Sequence, residues 1–461
     1  MDLFITHARL KPGYFYFGQS LYLLWNAFND PLFGFLQDSA GKKNHAAALR
    51  TRFNCVRYGG VAWALAFTLI WFPPVESQIS NGDGLVLPSS AFSFWSVIHF
   101  VVSICAYDAF LTLVEVSHSA ILSEITVSAA ERAEFNSYAA ALAGIGSFSS
   151  FIGQYTWDRT PEGSLFLYRV AVSVIAGFSA LIFLWSAHAM ERSTTDLNND
   201  DFIKSNIDVD VEKKQKGGND SAFLARVFKF IRELKSQPNF WIFVLVSCVQ
   251  SFDCAFEKSS FAVMLDRVSE DLYSKSTQGL IISASFFFPW LITLGLTPQI
   301  KRYGVFQVLK FIFATRMVIC FGGYIYSANV HYAGPFLLIN RISSELVCRI
   351  SPLVLSDLVD EDRFLNKRNS SETRSGSVVG TLHFFTKVAS SLGPMMSYTF
   401  LTSTLAPPSL RLSFVVIPGI CVSIQFTLWT FQFGLKGAYL NKVNDYVVGS
   451  IANPPLLLEE V

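Results

Sequence analysis

Asp30, Asp108, Glu115, Arg341, Glu345, Arg349 and Lys387 interrupt stretches of this sequence that are otherwise apolar. An ionised side chain in such a stretch must be paired or face water. Asp108 and Glu115 are seven residues apart, so on a helix they share roughly one face and could line one cavity. Burying either as a lone charge is costly, and protonation relieves that cost. Arg341, Glu345 and Arg349 recur every four residues, which puts all three on one side of a helix. Two readings of the triplet stay open: an internal ion-pair ladder that offsets its own burial, or a cavity-facing cluster that meets an anionic group of a solute. Lys387 is a lone cation beside Ser390 and Ser391, placed to neutralise Glu345 or to pair with Glu115 and release that pair on proton uptake. Asp253, Glu257 and Lys258 close another apolar stretch.

The elements that carry these groups are read from composition. Of 461 residues, 51 % are hydrophobic and 15 % charged, against roughly 25 % charged in a soluble domain. The 44 phenylalanines sit in blocks long enough to cross a bilayer, which takes about 20 helical residues. The blocks are continuously apolar rather than alternating, so helices and not barrel strands are expected. Eleven spans are predicted near 13–36, 59–73, 92–123, 137–156, 166–189, 238–257, 277–298, 305–327, 333–357, 377–403 and 412–434. The net charge of +1 leaves no excess to hold nucleic acid. Phosphate loops, zinc spacings and nucleophile elbows do not appear. The histidines and the seven cysteines are scattered without ligand or disulfide spacing, so no catalytic residue, metal site or cofactor is expected.

Lys and Arg crowd alternate loops, including 42–57, 190–237 and 358–376, and these are assigned to the cytoplasm. The stretch 191–237 divides the spans into a five-span bundle (1–190) and a six-span bundle (238–434), with a cytoplasmic tail at 435–461. The end of the linker carries Phe223, Val227, Phe230, Ile231 and Leu234 opposite Arg226, Lys229, Arg232 and Lys235. That basic amphipathic helix is expected at the cytoplasmic membrane surface, with a partner-binding helix as the alternative. Two bundles joined this way describe an all-α, polytopic, major facilitator-type fold. By this orientation residue 1 would lie outside with no signal peptide to deliver it, so the first of twelve spans is expected to be missing.

The stretch Trp25-Asn26-Ala27-Phe28-Asn29-Asp30-Pro31-Leu32-Phe33-Gly34, followed by Asp38 and a basic loop, resembles the second helix of the glycoside-pentoside-hexuronide:cation symporters. Leu23 to Gly34, Tyr107 to Glu115 and Asp357 to Asp362 more closely resemble the transmembrane protein 180 family, also called major facilitator domain-containing protein 13. The symporter resemblance implies cation-coupling positions at Asn26, Asp30 and Glu115, the first being an amide here, and a sugar-binding arginine position occupied by Ala140. It also implies that Asp30 sits in a gating signature, where the carboxylate caps or pairs. Asp108, Arg341, Glu345, Arg349 and Lys387 are the expected cavity residues. The implied function is a secondary active transporter of a small organic solute, sugar-like in the symporters, coupled to a proton or sodium. A transporter-shaped receptor or scaffold is the alternative. Residence in the plasma membrane is expected.

Overall fold

The computed structural model describes residues 12–40, 45–73, 89–126, 128–156, 165–199, 229–268, 272–327, 329–368, 374–402 and 407–452. Among these the regular elements are all helical. The first half comprises α1 (Pro12–Ala40), α2 (His45–Ile70), α3 (Ser89–Ile125), α4 (Ala129–Ser147), α5 (Ser149–Thr156) and α6 (Phe166–Asn199). A short helix, α7, spans 229–235. The second half comprises α8 (Pro238–Val268), α9 (Lys275–Ile325), α10 (Val330–Leu365), α11 (Ser375–Thr402), α12 (Pro407–Thr427) and α13 (Gly437–Ala452), with a π-helical turn at Leu428–Gln432 prolonging α12.

Local chemistry sets the boundaries. Ser128 caps α4 by accepting from the Glu131 amide, and Glu131 three residues on completes a capping-box pattern. Ser274 caps α9 and Asn329 caps α10 in the same way. The two spans predicted at 277–298 and 305–327 are the two limbs of α9. Gly304 separates them with φ 79°, a left-handed conformation that a side chain would resist. The span predicted at 137–156 is broken at Phe148 into α4 and α5.

Among the described residues, six helices are long and apolar enough to cross a membrane, all or part of α2, α3, α6, α8, α9 and α12. Helix α6 shows the arrangement expected where lipid replaces water. Leu167, Val174, Phe178, Leu181 and Trp185 form an exposed apolar stripe down one side. In the second half, Phe240, Phe243, Phe313 and Trp429 anchor the largest buried core.

Within the first half α2 packs on α3 and α6, and within the second α8 packs on α11 and α9 on α10. The halves meet along α1 with α11 and α4 with α9. Close approach of α1 and α11 depends on missing side chains. A Cβ on Gly380 would lie 2.5 Å from the Asp30 carbonyl oxygen, and one on Gly34 would overlap the Gly376 carbonyl.

The amphipathic helix departs from expectation. In α7, Phe230 and Leu234 are buried in the protein core, with the Phe230 ring edge-on to Phe35 of α1 at 5.1 Å. Phe230 and Leu234 therefore pack on the bundles, while Ile231 stays exposed. Phe223, Arg226 and Val227 lie outside the described residues, as do the middle of the linker and the tail beyond Ala452.

Candidate functional site

The Asn29-Asp30-Pro31 turn of α1 and the Asp108-to-Thr112 turn of α3 face one side chain of α11, Lys387. Its Nζ lies 2.7 Å from Asp30 Oδ1, 3.3 Å from Asp108 Oδ1, 2.7 Å from Thr112 Oγ1 and 3.4 Å from Asn29 Oδ1. Asn29 also donates to Asp108 Oδ2 at 2.5 Å. His383, one turn before Lys387, places Nδ1 3.4 Å from Asp30 Oδ2. Asp30 is fully buried, while Lys387 keeps 17 % of its side chain exposed. One ammonium thus answers two carboxylates, which leaves the cluster one negative charge in excess unless His383 or a carboxylate is protonated.

Asn26, one turn before Asp30, is buried with its Oδ1 lacking a hydrogen-bond partner. It lines a cleft of about 390 Å3 with Ser20, Leu23, Leu24, Lys387, Val388 and Ser391. Glu115 is exposed on α3 and close enough to His383 to act on it electrostatically, while the Lys387 ammonium itself contacts Asp30 and Asp108. Seven residues along α3 amount to about 10 Å of rise, so a shared face does not bring Glu115 to the same depth as Asp108. Ala140 is buried on α4.

The second half holds a separate network. Arg341 Nη2 meets Glu345 Oε1 at 2.6 Å, and Arg349 Nη2 meets Glu345 Oε2 at 2.9 Å, so the triplet does form a ladder. Beside it, the fully buried Arg316 of α9 holds Asp253 at 2.5 Å and Glu257 at 2.8 Å, and donates to Asn340 Oδ1 at 3.1 Å. Arg316 was not among the residues singled out from the sequence, although a lone arginine within the apolar stretch 305–327 was a signal for it. Asn29, Thr112 and His383 escaped as well, because uncharged polar residues and a single histidine are unremarkable in a helix. Cys254 and Cys348, far apart in the sequence, bring their sulfurs within 3.2 Å.

Near one end of the molecule, polar contacts join the halves. Arg52 pairs with Asp38 and Glu124, each at 2.9 Å. Asp38 accepts from the Gly376 and Ser377 amides at 3.2 and 2.7 Å, at the start of α11, where a carboxylate meets unsatisfied N–H groups and the helix dipole. Ser375 donates to Glu124 at 2.5 Å. Burial raises the Asp38 carboxyl above its ordinary range even though Arg52 and Ser377 favour its charged form. Opening this end would hydrate it and remove that penalty. Arg132 of α4 reaches Asp360 at 2.6 Å and Asp357 at 3.5 Å on α10, and Lys301 meets Glu134 at 2.8 Å. The Lys387 cluster lies deeper, ten residues along α11 from Ser377.

Two helical halves with a charge cluster between them and a contact set at one end define a membrane transporter of the major facilitator type. The chain belongs to the family described as MFS/sugar transport protein, whose model matches residues 8–407. It is an integral, multi-pass membrane protein. It is 27 % identical to transmembrane protein 180 of Mus musculus over 498 aligned residues, covering 96 % of this chain and 89 % of that one. Its fold is similar to a bacterial homologue of the iron transporter ferroportin in an outward-facing state, with TM-score 0.63, 12 % identity, and 93 % and 92 % of the two chains covered. It is also similar to the E. coli fucose:proton symporter, with TM-score 0.54, 15 % identity and 90 % of each chain covered.

Proposed function

We propose that this protein is a secondary active transporter of a small organic solute, working by alternating access and coupled to a cation, with the proton preferred over sodium. The observation that carries the reading is Lys387 of one half held by Asp30 and Asp108 of the other. Separating the halves here breaks the ion pairs of Lys387 with Asp30 and Asp108, and each charge must then be rehydrated or neutralised, at a cost. A proton taken by either carboxylate removes one member of the cluster and lowers that cost, so cation binding and opening are linked. Solute binding in the cavity between the halves supplies the remaining bias. With an amide at Asn26 the site has one carboxylate fewer to balance a desolvated sodium ion, whereas a proton needs only one carboxylate. The resemblance of the fold to a fucose:proton symporter supports the same choice.

The end closed by Asp38, Glu124 and Arg132 is assigned to the cytoplasm, because basic residues crowd the loops there, and the plasma membrane is the proposed location. Proteoliposomes carrying the full chain, screened against a solute library with an imposed pH or sodium gradient, test this reading. A transported solute should accumulate with the pH gradient, and Asp108→Asn should exchange it without accumulating it. Undiminished pH-driven accumulation by a folded Asp30→Asn/Asp108→Asn protein would reject the coupling site. A complete absence of uptake across the library would favour the receptor or scaffold alternative.

A further inference from the structure

Arg341, Glu345 and Arg349 are not equivalent rungs. Arg341 has 2 % of its side chain exposed and is consumed by Glu345 and by the Cys254 carbonyl, to which its Nη1 donates at 3.2 Å. Both Glu345 oxygens are taken. Arg349 differs: 30 % of its side chain is exposed and its Nε has no hydrogen-bond partner. Its guanidinium carbon lies over the Trp290 ring of α9, 3.7 Å from the centroid, a cation–π contact that holds the side chain in place. Lys258 of α8 is exposed and close enough to Glu345 to act on it electrostatically. An exposed cation at mid-helix in a membrane protein faces water, not lipid. The neighbouring carboxylates Asp253, Glu257 and Glu345 are each already held by an arginine, so the accessible charge of this wall is positive. Across the molecule, the first half exposes Glu115 and supplies the carboxylates Asp30 and Asp108 that hold Lys387.

We propose that the second half is a receptor for an organic anion, with Arg349 binding its oxyacid group, Lys258 adding attraction, and the aromatic surface of Trp290 and Phe286 carrying its apolar body. Phe286 belongs to the same wall, its ring centroid 5.9 Å from the Arg341 guanidinium. This deepens the transport reading and rests on it: a solute with one negative charge, moved together with a proton held at the Asp30 and Asp108 cluster, crosses as a neutral pair. A planar fork of donors matches carboxylate and phosphate alike, and neutral sugars would leave it unpaired.

Benzoate, phenyl phosphate and the neutral analogue benzamide test the receptor with purified full-length protein in detergent, read by ligand-induced shifts of the melting temperature and by equilibrium binding. Both anions should stabilise the protein at millimolar concentration and benzamide should not. Arg349→Gln should weaken benzoate by at least about tenfold, Arg349→Lys by less, and Lys258→Gln by a few fold with the fold intact. The proposal is overturned if neither anion binds, if benzamide stabilises equally, or if benzoate affinity is unchanged in folded Lys258→Gln and Arg349→Lys proteins. Binding in detergent requires no gradient and no transport. Loss of the receptor is therefore separable from failure of the transport reading, which the proteoliposome screen decides.

Discussion

Lys387 and Glu115 show how differently two charged residues in apolar helices can be housed. Lys387 satisfies two carboxylates and a hydroxyl, whereas Glu115 stands exposed. Lys387→Ala should therefore destabilise the protein strongly, by about 3–5 kcal/mol if both carboxylates stay ionised. It should show as a large fall in melting temperature in detergent, partly recovered in Lys387→Ala/Asp30→Asn because one stranded charge is gone. Glu115→Gln should change stability by no more than about 0.5 kcal/mol, read in the same assay. A drop for Glu115→Gln as large as that for Lys387→Ala would show that Glu115 is paired in a way its exposure contradicts. For Asp30 the sequence leaves coupling, capping or pairing open; its side chain pairs with Lys387, and the carboxylate that meets the start of α11 is Asp38, two turns later.

At the scale of elements, the contact of α1 with α11 governs how the charged groups meet. Backbone oxygens of Asp30 and Gly376 occupy the space where side chains would otherwise stand at Gly380 and Gly34. A valine at position 34 should force the helices apart at a cost of about 1–3 kcal/mol and shift the protein away from the closed arrangement. Gln37 is 4 % exposed on the same stretch of α1, so maleimide labelling of Gln37→Cys should be slow in the parent and fast in the Gly34→Val background. Equal labelling in both would mean that this contact does not hold the end shut. Helix α7 contributes to the same closure, because Glu233 accepts from Arg368 at 2.5 Å and from Arg374 at 2.6 Å while Phe230 and Leu234 fill the core beneath.

For the whole molecule, the joined end and the deeper cluster form two layers of contact between the halves, and alternating access requires both to break. Arg132 is the main cation at one corner of the joined end, facing Asp357 and Asp360. Arg132→Ala should open that corner, raising the reactivity of cysteines introduced nearby and lowering the melting temperature. The assignment of this end to the cytoplasm has its own check. Epitope tags inserted near Ser193 and after Ala452 should be reached by antibody only in permeabilised cells, and labelling of either in intact cells would reverse the orientation.

Much of this was legible in the sequence, because hydrophobic blocks and basic loops are local properties. Apolar length specified helices and a bilayer, and spacing by four put Arg341, Glu345 and Arg349 on one face, since both follow from the geometry of a single helix; that the three pair as a ladder came from the structure. Partner choice was not local. Helical periodicity tells which residues share a face but not which helix abuts that face or at what depth, so Glu115 was an equal choice for Lys387 until the packing of α1 and α3 on α11 brought in Asp30 and Asp108. Arg316 and the Cys254 and Cys348 contact were hidden for the same reason: each joins helices far apart in the chain, and only their tertiary packing decides that they meet.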